Sequence, residues 1–116
     1  MDFFEYSDDE IADIALPIME TMKQGTNVKD YVLFSLHFSN QFRMFVDEEK
    51  FCSQVEKNIP LFGLLTEQEY LGLIRRESGV SIIYKQKTSN KNSELLGQLL
   101  LDIEGDDVKV FDACLR

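Results

Sequence analysis

The spacing of apolar residues changes character once along this 116-residue chain. In the first half it repeats at helical intervals. Ile11, Ile14, Ala15, Ile18, Met19 and Met22 recur three or four positions apart, which places them on one stripe of a helix. Ser7 followed by Glu10 is a capping-box pattern, and Asp8 and Asp9 suit the positive end of the helix dipole. Gly25 stands where a terminating glycine belongs. Pro17 falls inside the pattern and should kink or split the helix, because it lacks an N–H and crowds the preceding turn. Asn27 reads as the N-cap of a second, short helix, with Asp30 in its first turn and Tyr31, Phe34 and Phe38 on its buried face. Phe42-Arg43-Met44-Phe45 fits no element by pattern. Asp47 reads as the next N-cap, with Phe51, Cys52, Val55 and Ile59 facing inward and Pro60 marking the end.

Beyond Pro60 the period falls from 3.6 towards 2. Residues 69–77, 80–88, 94–103 and 108–115 are rich in Leu, Ile and Val and bounded by turn residues, so they read as four strands. The turns are Ser78-Gly79, Ser89 to Asn92, and Glu104 to Asp107. Gaps this short allow only antiparallel neighbours, since a parallel crossover needs about a dozen residues. The pattern therefore predicts one α+β domain, residues 1–116, with N-terminal helices packed on one face of a curved four-stranded antiparallel sheet. Gly72 and Gly97 read as kinks or bulges that let the sheet curl. Leu99-Leu100-Leu101 exceeds strict alternation, which implies that helix or a partner covers part of the outer face.

Composition sharpens this picture. A 44% hydrophobic content with nine Phe supplies a core without disulfides or metal. Cys52 and Cys114 are expected to be reduced and buried, as thiols in apolar segments usually are. No apolar run approaches the roughly 18 residues of a membrane span. The first ten residues carry five acids and no base, the reverse of a secretory leader, so a cytoplasmic location is expected. Net charge is −9, from 21 acids against 12 bases, which disfavours binding to phosphate backbones. Acids concentrate in residues 1–20 and 102–112, whereas Arg75, Arg76, Lys85, Lys87 and Lys91 cluster in sequence. Separate acidic and basic regions are expected.

The order of parts resembles the nuclear-transport-factor-2-like, or cystatin-like, superfamily. The residues carrying the likeness are Asp30-Tyr31-Val32-Leu33-Phe34, the helix start from Asp47 to Phe51, and the closing strand pair of Leu95 to Asp102 and Val108-Lys109-Val110-Phe111, joined through Asp106-Asp107. The resemblance implies a cone with a cavity between helices and bent sheet, dimerisation through the sheet in many members, and roles from isomerase to binding module. Its enzymes place a carboxylate or an Asp–His pair inside the cone. Here only His37 could supply the histidine, and no inward Asp is identifiable by motif, which puts a catalytic role in doubt.

Other candidate chemistry is thin. His37 titrates near physiological pH, but a histidine beside Phe38 is ordinarily a packed residue. Tyr31 and Tyr84 could donate to a substrate oxygen or line a core with wet edges. Asp102-x-Glu104-x-Asp106 has the alternating oxygens of a calcium loop, yet Asp107 stands where glycine is needed and Ala113 where a bidentate Glu is needed. Ser35 and Ser39 flank His37 without a third triad member. No cofactor or metal is expected, because two Cys and one His fall short of the roughly four ligands of structural zinc.

Two functions remain. One is a non-enzymatic protein-binding module, most concretely a bacterial immunity protein neutralising a basic toxin. It would present Asp8, Asp9, Glu10 and Asp13 on the first helix, or Asp102, Glu104, Asp106 and Asp107 at the last hairpin. The other is a small-molecule cavity protein or isomerase-like enzyme using His37 with Tyr31 or Tyr84.

Overall fold

A computed structural model describes residues 2–116. Within that span a short 3₁₀ turn, Phe3–Glu5, precedes four helices: α1 (Asp8–Asn27), α2 (Tyr31–Phe34), α3 (Asn40–Phe45) and α4 (Glu48–Phe62). Four strands follow: β1 (Leu65–Arg76), β2 (Gly79–Thr88), β3 (Glu94–Glu104) and β4 (Asp107–Leu115). They form an antiparallel meander in the order β1-β2-β3-β4. The fold is α+β, with the helices N-terminal to the strands, α1 packed on the inner face of the sheet and α3 beside the β4 edge. A lone parallel bridge, Phe38 to Val110, ties the α2–α3 connection to the edge of β4.

The helix starts follow their caps. Ser7 and Glu10 form the reciprocal capping box, with Oγ accepting from the Glu10 amide and the Glu10 carboxylate accepting from the Ser7 amide. Asp47 caps α4 through the Lys50 amide at 2.9 Å. The aromatic stretch without an assigned element proves to be α3, capped by Ser39 through the Phe42 amide.

Several expectations about helix ends are corrected. Gly25 does not end α1 but lies buried in its last turn, where a Cβ would collide with the Phe34 backbone. The glycine is there to let α2 approach. Asn27 does not cap α2, because Asp30 does. Asn27 instead closes α1 and clamps the start of β1, its amide donating to the Leu65 carbonyl at 2.8 Å while its Oδ1 accepts the Leu65 amide at 2.9 Å. Of the two outcomes expected at Pro17, a kink or a split, the split does not occur, since α1 runs through it unbroken. The carbonyl it leaves without a donor belongs to exposed Asp13, on the side where water can serve it. Pro60 likewise sits within α4, which continues to Phe62 and closes with the Gly63 amide bonded to the Ile59 carbonyl.

The core lies between α1 and the sheet. Ile11, Ala15, Ile18 and Met19 from the helix meet Val80, Ile82, Leu99, Leu101 and Val110 from the strands, joined by Phe38 and Phe42. Strand β2 is buried along almost its whole inner row, including Gln86, which is 0% exposed. The register slips between Leu65 and Gln68, and there the Gln86 side-chain amide donates to the Thr66, Glu67 and Lys87 carbonyls. Gln68 donates to Gln86 Oε1 and to the Met19 carbonyl, so the network joins sheet to helix. A second slip flanks Gly72, as a bulge reading requires. Gly97 is different: the register is regular there, and the Tyr84 ring occupies the space a side chain would need. A third slip, between Leu100 and Leu101, leaves Phe111 as the extra residue of β4.

The cysteine expectation is also corrected, since Cys52 and Cys114 are both free and exposed. On α4 the buried stripe is Phe51 and Val55, and Cys52 is one step, about 100°, away from it. On β4 the pleat sends Ala113 inward and Cys114 outward. No helix of the described residues is long and apolar enough to cross a membrane.

Candidate functional site

The topology brings the two acidic stretches to one end of the molecule. The β1–β2 turn joins Arg76 to Gly79, and the β3–β4 turn joins Glu104 to Asp107, so both turns lie at the same end of the sheet. The first turn of α1 is held there as well. Arg75, at the end of β1, meets Asp8 at 2.7 Å and donates to the Phe3 and Tyr6 carbonyls. The start of α3 joins the same end, the Asn40 amide donating to Glu104 at 3.0 Å.

The eight candidate acids separate by what they touch. Asp8 is engaged by Arg75, Glu10 by the Ser7 cap, and Glu104 by the Asn40 amide. Asp102 is half-buried opposite Lys109 across the β3–β4 ladder. Asp9, Asp13, Asp106 and Asp107 are exposed. Asp9 and Asp13 are four residues apart and share one helical face. These four are the acids free to meet a partner.

Among the described residues no matching basic patch forms. The cluster from Arg75 to Lys91 runs the length of the β1–β2 hairpin, so the fold spreads it from one end of the sheet to the other. Three of its five members form ion pairs, Arg75 with Asp8, Lys85 with Glu69 and Glu94, and Lys87 with Glu67, while Lys91 is exposed in the β2–β3 turn. Arg76 donates to the Ser81 hydroxyl. Neither do the alternating acids of the last hairpin converge: Glu104 turns to α3, while Asp102 accepts the Ile103 amide. Among the described residues no three Cys, His, Asp or Glu side chains gather as metal ligands would.

A cavity of about 270 Å³ opens between α1, α4 and the sheet, walled by Met19, Met22, Phe34, Phe51, Val55 and Tyr84, with Gln68 and Gln86 at its polar side. Of the three polar candidates for such a cavity, only Tyr84 lines it. Burial, with a smaller contribution from Cys114, pushes the Tyr84 phenol up to about 12. Tyr31 instead donates to the Val46 carbonyl at 2.6 Å, and burial raises its phenol too. His37 is half-buried; its carbonyl accepts the Val110 amide, while burial and then Lys109 lower its imidazole below the ordinary range. Ser35 and Ser39 serve the backbone, Ser35 donating to Tyr31 and Ser39 capping α3. His37 and the two serines therefore do not form a nucleophilic centre.

Sequence reasoning missed the apolar surface of α3. Met44 is 82% exposed and Phe45 69%, large values for side chains of this size. A shallow groove of about 890 Å³ runs between them, Gln41, Phe42, Leu100, Phe111 and Asp112. The signal was present in Phe42-Arg43-Met44-Phe45, too apolar for a connecting loop.

No protein-family model matches the chain, and no curated protein matches it in sequence. In three dimensions it is similar to a solved structure of Bdellovibrio bacteriovorus Bd1075, with a TM-score of 0.52 and 8% identity over 90% of this chain. The chain spans 39% of that protein's length. At this identity the likeness concerns the fold alone.

Proposed function

We propose that this protein is a non-enzymatic binding module that captures a basic protein partner, most concretely as an immunity protein neutralising a cognate toxin. The observation that carries this reading is the gathering of both acidic stretches at one end of the molecule. Two stretches about ninety positions apart in sequence (residues 8–13 and 102–107) act there as one field source. A field of one sign over such a surface steers an oppositely charged partner and raises its association rate. The exposed α3 residues add apolar area of the kind that anchors interfaces.

The test uses the partner retained on tagged protein from its native lysate. Two variants, Asp9→Asn with Asp13→Asn and Asp106→Asn with Asp107→Asn, are compared singly and combined. Each pair should weaken binding at low salt by about three- to tenfold, the combination should weaken it further, and the differences should shrink at high salt. Unchanged affinity in the combined variant at low salt would overturn the reading.

A second reading rests on the cavity between α1, α4 and the sheet. It supports a small-molecule site with Tyr84 as the hydrogen-bonding wall, in keeping with the nuclear-transport-factor-2-like resemblance. Its volume of about 270 Å³ sits at the low end for ligand pockets, and its glutamines are already bonded within the protein. Tyr84→Phe separates the readings, because a cavity site that uses this phenol would lose ligand affinity, whereas capture of a basic protein at the acidic end would be unchanged apart from stability.

A further inference from the structure

The bulge in β4 does more than bend the strand. Val110 and Ala113 both pack inward, and the two residues between them, Phe111 and Asp112, are left side by side. Asp112 pairs with Leu100, which belongs to the outer face because Leu99 and Leu101 on either side of it are buried. An unbulged strand would have returned one of the pair to the core, since side chains alternate strictly. Bulges commonly re-aim side chains in this way next to functional surfaces. Here the result is an aromatic ring and a carboxylate presented together beside α3.

Opposite them, α3 holds Met44 and Phe45 outward while Phe42 anchors the helix in the core. Met44 and Phe45 stay largely exposed, with the Lys50 ammonium over one side of the Phe45 ring, and exposed apolar groups of this size, gathered around a groove, mark interaction sites. The charge beside the groove is acidic. Asp112 lines it, Asp102 follows Leu100 on the same face of β3, and Glu104 receives the first amide of α3. Three bases lie nearby and are directed to other partners or positions: Arg43 on α3 donates to the Ser35 carbonyl, Lys50 donates to the Phe45 carbonyl with its ammonium 4.9 Å from the Phe45 ring, and Lys109 stands opposite Asp102 in the ladder. Along β3 the groove therefore runs directly into the acidic end.

We propose that this groove seats an amphipathic basic segment of the partner, one large apolar side chain entering between Phe45 and Phe111 and a Lys or Arg reaching Asp112. This rests on the binding-module reading and supplies its anchor: the acidic end governs encounter and the groove governs residence. A second copy of this chain fits less well, because its own groove brings another carboxylate to the contact.

The test is an NMR titration with a synthetic helical peptide of about 14 residues, made of Leu and Lys with Leu on one face. Resonances of Met44, Phe45, Leu100 and Phe111 should shift. Phe45→Ser should weaken the peptide about tenfold, and Asp112→Asn about threefold at low salt only. A Leu–Glu peptide of the same pattern should not bind. Phe45 is exposed, so the variant should fold; if it does not, Met44→Ser provides the same test. Shifts confined to the cavity or to α1, equal binding of the Leu–Glu peptide, or a dimer dispersed by Phe45→Ser would each overturn the proposal. With the captured partner, loss of binding on neutralising Asp9, Asp13, Asp106 and Asp107 but not on Phe45→Ser would reject the groove alone. Indifference to both would reject the binding-module reading as well.

Discussion

Tyr84 and Gly97 form one unit, because the ring fills the space that the missing Cβ leaves on the neighbouring strand. Gly97→Ala should cost about 1–3 kcal/mol in the native protein by overpacking, and much less in a Tyr84→Ala background; chemical denaturation across the four-member cycle measures the coupling. The phenol makes a second prediction. Its folded pKa of about 12 lies above the unfolded value of about 10, so the folded state holds its proton longer. The stabilisation is complete below about pH 10 and is lost as pH rises towards about 12. Burial raises Tyr31 and Tyr70 in the same direction. Alkaline unfolding should therefore be less steep in Tyr84→Phe; an unchanged profile would show that burial of this phenol does not set it. At this scale sequence reading reached Tyr84 as a cavity-wall candidate but misread Gly97. A glycine in a strand means either a bulge or a close approach, and only the cross-strand partner decides which. Gln86 was likewise hidden, since a glutamine among lysines reads as solvent-facing until the register slip beneath it is known.

Elements were more legible than their ends. Capping chemistry is local, so Ser7 with Glu10 and Asp47 located two helix starts from sequence alone. The change to a two-residue period marked all four strands, with β1 starting earlier than expected at Leu65 because Asn27 holds it there. Helix ends are settled by tertiary contacts, and there Gly25 and Pro60 both misled. Gly25 yields a test in which two effects oppose each other. Alanine is favoured over glycine within a helix by about 1 kcal/mol. At this position its methyl would meet the Phe34 backbone, which cannot swing aside as a side chain can. Gly25→Ala should accordingly destabilise by about 1–3 kcal/mol, read as a lower denaturation midpoint at unchanged slope. A stabilised variant would mean that Gly25 is only a tolerated residue.

Across the whole molecule, the organisation that matters is the meeting of the two acidic stretches at one end, among acids that are otherwise spread over the surface. Sequence identified both acidic stretches but offered them as alternatives, because whether they share an end depends on strand direction and on the Arg75–Asp8 contact. The basic stretch failed as a patch for the converse reason: contiguous residues in a long hairpin are carried apart by the strands. The α3 groove was not legible, since it depends on the β4 bulge, a one-residue event that alternation does not reveal. The most direct test of the electrostatic account is stopped-flow association of the captured partner across ionic strength. The protein is compared with a variant carrying Asn at positions 9, 13, 106 and 107. The native protein should associate about tenfold faster at low salt, its rate falling steeply as salt rises, while the variant shows a shallow slope and a nearly unchanged dissociation rate. Equal association rates with equal salt slopes would contradict the account.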